Sequence, residues 1–295
     1  MLPKVRFGKT ELEVTRLALG GYPFGGVNLA RGWDPFSPAG RVQAIETIHA
    51  ALDAGINLVD TAPGYGDGNS ESIFGEALRG RRDEVVLATK VGYHGSAADV
   101  RESVETSLRR LQTEVIDIIQ FHGGMYTSNE VRHILDEGVL DALVTLREEG
   151  KVRFLGFTVE EPWTARPLIA SGAFDVMQVR YNVIYQSAAL NVLNQAAEAD
   201  LGVSVMRPMT SGILQRMASY IAPEWAEAGD LYEVCLKFVL SDSRVHVANV
   251  GMRWPDEVRK NVALASAFER TFDMADLPRM TAHIYKTHDE MEGLA

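Results

Sequence analysis

The chain has little cysteine and no long hydrophobic run. Its 295 residues include one cysteine, Cys235, so no disulfide can form within the chain and a reducing compartment is expected. No stretch approaches the roughly 18 apolar residues of a membrane span, and the segment from Met1 to Gly20 lacks the apolar centre of a signal peptide. We therefore expect a cytoplasmic protein in which Cys235, within an apolar stretch, is a buried core residue.

The chain also lacks an excess of positive charge. It carries 29 Lys and Arg against 40 Asp and Glu, a formal net charge of −11, so a broad nucleic-acid surface is not expected. His94, His122 and His133 do not have the spacing of metal ligands, and we predict no metal site. The composition leaves the oligomeric state open.

A regular alternation of short apolar runs and amphipathic segments fills the chain. The runs, rich in β-branched residues, are 17–19, 57–60, 85–89, 116–121, 152–157, 176–179, 203–206 and 245–250. The segments with helical periodicity are 41–54, 70–79, 98–111, 130–149, 162–172, 188–200, 230–241 and 255–268. Eight such units predict a single α/β domain over residues 1–295, a (β/α)8 TIM barrel, with a doubly wound sheet as the alternative.

Four polar residues follow the ends of neighbouring predicted strands. In a barrel these ends share one mouth, where catalytic residues lie, so Asp60, Tyr65, Lys90 and His122 should converge. A free tyrosine has a pKa near about 10, and a neighbouring Lys90 ammonium would lower it. Asp60 would hold Lys90 and His122 would orient a substrate oxygen. Each residue alone also fits a cap, a packing contact or a solvated side chain, but together they predict a proton relay toward a carbonyl oxygen.

The stretches that contain these residues resemble the aldo-keto reductase family. The matching stretches are 55–66, 70–78, 88–91, 107–111, 117–122 and 149–153, within a resemblance that runs from about Val5 to about Ala265. The resemblance implies a (β/α)8 barrel that binds NADP(H) without a Rossmann domain. It also implies a tetrad of Asp60, Tyr65, Lys90 and His122. Hydride would pass between the nicotinamide and a carbonyl carbon while Tyr65 protonates the oxygen.

The same resemblance implies a set of cofactor-binding residues. Thr158 and Gln178 would bond the nicotinamide carboxamide, and Arg253 would bind a 2′-phosphate, which favours NADP(H) over NAD(H). The loop around the pyrophosphate would contain Arg207, Pro208, Met209, Ser211, Gly212 and Leu214, and the adenosine segment would contain Gly251, Arg253, Glu257 and Asn261. Two positions depart from the family pattern. Thr158-Val159 stands where Ser-Asn is usual, and Met206-Arg207 stands where an aromatic residue often stacks on the nicotinamide.

Other interpretations of these motifs remain open at this stage. The glycines of 64–68 resemble a dinucleotide fingerprint but lack its spacing, and Lys90 could be the Schiff-base lysine of a barrel aldolase. A non-catalytic, nucleotide-sensing subunit is the alternative to an enzyme. The segment from Thr210 to Gly229 is long enough to cover a ligand. Candidate walls for a small aldehyde, ketone or sugar are Tyr22, Phe24, Trp33, Tyr93, Met125, Tyr126 and Trp225.

Overall fold

A computed structural model of the protein describes residues 2–26, 30, 32–224 and 230–269. Strands β1 (Lys4–Arg6) and β2 (Glu13–Thr15) form an antiparallel hairpin that the sequence patterns did not predict. The eight predicted strands are all present, as β3 (Leu17–Gly20), β4 (Leu58–Asp60), β5 (Val86–Val91), β6 (Ile116–Phe121), β7 (Val152–Val159), β8 (Val176–Arg180), β9 (Gly202–Met206) and β10 (Val247–Gly251). Neighbouring strands pair in parallel, and β10 pairs with β3. The closed (β/α)8 barrel is therefore confirmed, and the open doubly wound sheet is wrong.

The helices mostly lie where the periodicity predicts them. Within the described ranges they are Pro38–Asp53, Asn69–Ala77, Ala97–Leu111, Ser128–Asp136, Val139–Glu148, Arg166–Ala170, Ser187–Asn191, Leu193–Glu198, Ile213–Ile221, Leu231–Ser241 and Pro255–Ser266. Side chains of Ser37, Ser96, Thr127 and Asp230 accept backbone N–H groups at four helix starts.

Several helix predictions were wrong in detail. The helix predicted over 130–149 is two helices, because Gly138 adopts a left-handed backbone with φ of 88°. The helix predicted over 188–200 is interrupted at Val192, where φ is −132° and ψ is −21°. The one predicted over 162–172 begins as a 3-10 turn at Pro162–Ala165. Helix Ile213–Ile221 was not predicted, and it lies in the long segment that follows β9.

The barrel interior has an apolar lower part and a polar upper part. Side chains alternate along each strand, so every second residue points into the barrel. These inward positions follow one another from the N-terminal ends of the strands to their C-terminal ends. The lower positions form one buried cluster of Phe7, Val14, Ala18, Leu58, Val86, Ala88, Ile118, Val176 and Val247. Towards the C-terminal ends the buried side chains become polar, as Asp60, Lys90, Gln120, Gln178 and Asn249. Along these inward positions the polar side chains therefore lie towards the mouth at the C-terminal ends of the strands.

The surroundings of Cys235 and the character of the helices bear on two expectations from the composition. Cys235 is buried as predicted, and burial raises the pKa of its thiol to about 11, which opposes reactivity because the thiolate is the nucleophile. None of the helices in the described ranges has the length and apolar character needed to cross a lipid bilayer.

Phe7 fills the lower end of the barrel and is 1% exposed. We expect Phe7→Ala to lower the free energy of unfolding by about 3–5 kcal/mol, because the truncation leaves a cavity among apolar side chains. Urea denaturation followed by circular dichroism measures the change. Phe36→Ala is the matched control, since Phe36 is 60% exposed, and it should change stability by about 0.5 kcal/mol or less. Equal losses in the two variants would contradict this account of the core.

Candidate active site

The centre of the candidate site is a buried ion pair at the polar mouth of the barrel. Lys90 Nζ on β5 donates to Asp60 Oδ2 on β4 at 2.8 Å and to the Thr61 carbonyl oxygen at 2.7 Å. Lys90 is 1% exposed and Asp60 is 4% exposed. Burial lowers the pKa of Lys90, but the charge of Asp60, the neighbouring Tyr65 and the hydrogen bond to Asp60 outweigh it and raise the pKa overall. Lys90 is therefore an ammonium at neutral pH.

Two buried amides also donate to the Asp60 carboxylate. Asn249 Nδ2 on β10 lies 2.8 Å from Asp60 Oδ2, and Gln120 Nε2 on β6 lies 3.2 Å from Asp60 Oδ1. A carboxylate only accepts hydrogen bonds, so each amide must turn its NH2 group toward Asp60. Their carbonyl oxygens, Gln120 Oε1 and Asn249 Oδ1, are buried and have no hydrogen-bond donor among the described residues. A buried acceptor without a partner costs about 1–3 kcal/mol.

The sequence patterns did not single out Gln120 or Asn249. Both lie inside apolar runs that predict strands, and the runs give no separate role to their amides. The signal that could have found them is the two-residue alternation, because Gln120 pairs in register with Lys90 and so occupies the same interior layer.

Tyr65 lies in the loop that follows β4, held by a close approach of two backbones. A Cβ atom on Gly25 would come within 2.6 Å of the Tyr65 carbonyl carbon, and Gly66 has φ of 64°, so both positions favour glycine. Lys90 Nζ lies 4.8 Å from the centre of the Tyr65 ring. The Tyr22 ring meets Tyr65 edge-on, with ring centres 5.1 Å apart.

The net pKa direction at Tyr65 differs from the expectation. Burial, the largest influence, raises the pKa of Tyr65, and the charge of Lys90 opposes that rise without reversing it. The predicted effect of Lys90 is present, but a net lowering was wrong because burial disfavours the phenolate more strongly. Tyr65 therefore keeps its proton at neutral pH and can donate it.

His122 completes the group directly after β6. Its ring centre lies 5.8 Å from that of Tyr65, with an angle of 82° between the rings. The side chain is exposed, but the protein around it still removes part of its water. This partial desolvation and then the charge of Lys90 lower its pKa to about 4, while the charge of Asp60 opposes the change. A neutral imidazole carries one N–H group that can donate to a substrate oxygen.

Thr158 and Gln178 are neighbours, but the Thr158 hydroxyl is already bonded within the protein. The two residues pair in register at the ends of β7 and β8, and both are buried. Thr158 Oγ1 donates to the Gly123 carbonyl oxygen at 2.8 Å and accepts from the Gly123 N–H at 3.0 Å. In this arrangement Thr158 fixes the segment after His122, and one acceptor lone pair of its hydroxyl is left for the predicted contact with a carboxamide.

The predicted pyrophosphate loop follows β9 as a tightly folded turn. Arg207, Thr210 and Ser211 have left-handed backbones, with φ of 55°, 55° and 53°. Arg207 Nη2 donates to Glu160 Oε1 at 2.6 Å, so the guanidinium is held across the mouth by a carboxylate. Of the remaining predicted residues, Pro208 is buried, Ser211 is exposed, and Met209, Gly212 and Leu214 are half-buried.

The predicted adenosine residues come together at the start of the helix Pro255–Ser266. Gly251 ends β10, and the backbone N–H of Arg253 donates to Glu257 Oε2 at 2.5 Å. Arg253 Nη1 lies 3.6 Å from Glu257 Oε1, and Asn261 Nδ2 donates to the Glu257 carbonyl oxygen at 2.8 Å. The structure thus groups Arg253, Glu257 and Asn261 near the mouth.

Most of the predicted aromatic walls are packing residues. Phe24, Trp33, Tyr93 and Tyr126 are all buried, and the hydroxyl of Tyr126 donates to the Thr158 carbonyl oxygen at 2.8 Å. Their assignment as walls was therefore wrong. The exposed candidates are Tyr22 and Met125, at 42% and 51%, and Trp225 lies outside the described residues. Within those residues, no group of three His, Cys, Asp or Glu side chains could hold a metal ion.

Known proteins share both this sequence and this fold. The aldo-keto reductase YhdN of Bacillus subtilis is 34% identical over 221 residues, which cover 70% of this chain and 61% of that protein. The NADH-specific methylglyoxal reductase of Escherichia coli is 30% identical over 233 residues, which cover 72% of this chain and 69% of that protein. The chain thus spans less than two thirds of the length of the Bacillus relative.

A solved structure and a family model agree with these relatives. The crystal structure of an aldo/keto reductase from Klebsiella pneumoniae, in complex with NADP and acetate, superposes with a TM-score of 0.76 at 25% identity and covers 95% of each chain. The model described as the Aldo/keto reductase family matches residues 19–284, which include all four residues of the predicted tetrad. The chain belongs to the aldo/keto reductase family.

Proposed function

We propose that the protein is an NADP(H)-dependent oxidoreductase that interconverts an aldehyde, ketone or sugar carbonyl and the corresponding alcohol. The observation that carries this proposal is the Tyr65 phenol, which keeps its proton beside the buried Lys90–Asp60 pair. A proton donor next to a fixed positive charge suits the protonation of a carbonyl oxygen, because the charge stabilises the phenolate that forms. The exact carbonyl substrate is chosen by the loops of the mouth.

Each residue of the tetrad has a part in the proton transfer. His122, neutral and at the mouth, donates its N–H to the carbonyl oxygen and orients it. Tyr65 then gives its proton to that oxygen, and Lys90 stabilises the resulting phenolate by its charge. Asp60 keeps Lys90 protonated and in place. In the oxidation direction the same phenolate accepts the proton of the alcohol.

The residues present fit a nicotinamide dinucleotide. Gln178 offers a buried amide at the end of β8, the turn after β9 presents Ser211 at the surface, and Arg253 stands at the start of a helix. Gln178 suits a carboxamide, Ser211 suits a diphosphate, and Arg253 suits a 2′-phosphate. When bound, the dinucleotide supplies or accepts the hydride. The NADP named for the Klebsiella structure supports this choice, and the NADH-specific relative makes NAD(H) the alternative.

Two other functions explain the site less well. A Schiff-base lysine needs an uncharged amine, whereas the surroundings of Lys90 raise its pKa, which disfavours the aldolase. A non-catalytic, nucleotide-sensing subunit is suggested by the pair Thr158-Val159, which departs from the family's usual Ser-Asn. It gives no reason for a complete tetrad. Tight NADPH binding without turnover on a panel of aldehydes, ketones and sugars would favour the sensing subunit.

Tyr65→Phe should lower kcat for carbonyl reduction by about 100-fold or more, because the proton donor is lost. The decrease in NADPH absorbance at saturating aldehyde measures kcat, and a fluorescence titration of NADPH should give an unchanged Kd. Tyr232→Phe is the control, since Tyr232 is not one of the four tetrad residues, lies on the helix Leu231–Ser241 and is 41% exposed. Turnover by Tyr65→Phe at the wild-type rate would remove Tyr65 as the acid.

The low pKa of His122, about 4, predicts a pH profile. His122 is neutral above about pH 5, so kcat/KM for reduction should stay level between about pH 5.5 and 8 and fall only as the imidazole gains a proton at lower pH. Stopped-flow assays in buffers of constant ionic strength measure the profile. A decrease in wild-type kcat/KM with a midpoint near pH 6.5, absent from His122→Gln, would contradict the low pKa of His122.

Arg253→Ala should weaken NADPH binding by about tenfold or more and leave NADH binding nearly unchanged, because only NADPH carries the 2′-phosphate. Fluorescence titrations with both cofactors give the two Kd values. Arg259→Ala removes the same charge from an exposed position on the helix Pro255–Ser266, which follows Arg253, and should preserve the ratio. Equal weakening for both cofactors would show that Arg253 does not select NADPH.

A further inference from the structure

The carboxylate of Asp60 is reached by side chains from strands that do not pair with β4. The barrel order places β3 between β10 and β4, and β5 between β4 and β6. Asn249 crosses β3 to reach Asp60, and it can do so because β3 carries Gly20 at that level. A Cβ atom on Gly20 would lie 2.8 Å from Asn249 Oδ1. Gln120 crosses β5 from the other side.

Both amides direct their NH2 groups at the same carboxylate. Their NH2 groups face Asp60, while their buried carbonyl oxygens lack a donor among the residues described. A polar side chain that served only to stabilise the core would be expected to satisfy both ends. In each amide the carbonyl oxygen therefore stays without a donor while the NH2 group donates to Asp60.

We propose that Asn249 and Gln120 are positioning residues of the proton relay, which fix the Asp60 carboxylate so that its charge stays directed at Lys90. This inference rests on the proposed function, because it assigns the amides to the reaction that Tyr65 performs. Gly20 supplies the space across which Asn249 reaches. Neither amide contacts the substrate in this mechanism, and both act through Asp60.

The titratable groups around Asp60 are few among the described residues. Lys90 faces it from β5, Tyr65 from the loop after β4, and His122 from the end of β6, while Tyr22 lies beyond Tyr65. Replacing the Asn249 amide by a carboxyl of the same shape adds one more titratable group in direct contact. When protonated, that carboxyl donates to Asp60 as the amide does, and when ionised it can only repel Asp60.

Asn249→Asp should therefore make turnover depend on pH in a new way. We expect the ratio of its kcat to that of the wild type to be highest near about pH 5.5 and to fall by about tenfold or more by about pH 8.5. Asn249→Leu, which lacks a donor at every pH, should lower kcat by about tenfold across the range, with KM within about twofold of wild type. Circular dichroism that shows the same folded fraction at both pH values separates this effect from a pH-dependent loss of fold.

Asn57→Asp is the matched control for the same substitution at the other end of the barrel. Asn57 lies just before β4 and donates to the Glu13 carbonyl oxygen at 2.8 Å, so its kcat ratio should not vary with pH. Gln120→Glu is the second test variant and should behave as Asn249→Asp does, which keeps the inference testable if one variant fails to fold.

The outcomes separate this inference from the proposed function. If the wild type reduces carbonyls and Tyr65→Phe does not, but both acidic variants keep a level ratio with wild-type kcat, the positioning role is wrong and the proposed function stands. If the wild type itself has no turnover with either cofactor, both are wrong. A falling ratio in Asn249→Asp and Gln120→Glu, with a level one in Asn57→Asp, is the result expected.

Discussion

The ion pair between Lys90 and Asp60 is the interaction around which the mouth of the barrel is organised. Taking two charges out of water costs several kcal/mol per ion, and their attraction offsets this only when hydrogen bonds satisfy the remaining groups. Here the Thr61 carbonyl oxygen, Asn249 and Gln120 provide those bonds. Single-residue choices in neighbouring strands, such as glycine at position 20, follow from the geometry that these bonds require.

One small volume holds a charged lysine beside a neutral tyrosine and a neutral histidine. Lys90 stays charged because Asp60 is next to it, whereas Tyr65 keeps its proton and His122 stays neutral mainly because the surrounding protein partly removes them from water. The same low-dielectric surroundings therefore act in opposite directions on groups of different charge type. Sites that assign separate acid and base tasks commonly divide their pKa values in this way.

The sequence predicted the barrel and the convergence of four polar residues at its mouth, because both depend on local patterns. Apolar runs locate parallel strands, and strand ends locate the mouth, so Asp60, Lys90 and His122 could be found without coordinates. Features that depend on distant contacts were missed, including the two amides on Asp60 and the bond from Thr158 to Gly123. Backbone geometry was missed as well: periodicity continues through Gly138 and Val192, where the helices break.

Closure of the barrel has a consequence for the order in which the site can form. Asp60 and Lys90 belong to early strands, whereas Asn249 lies on β10, which pairs with β3 near the start of the chain. The bond from Asn249 can form only after β10 has been synthesised and has paired with β3 to close the barrel. During synthesis the ion pair would therefore stay open to water until β10 has left the ribosome. A chain truncated before β10 would retain the four tetrad residues. It would lack both the Asn249 amide that donates to Asp60 and the strand that closes the barrel against β3.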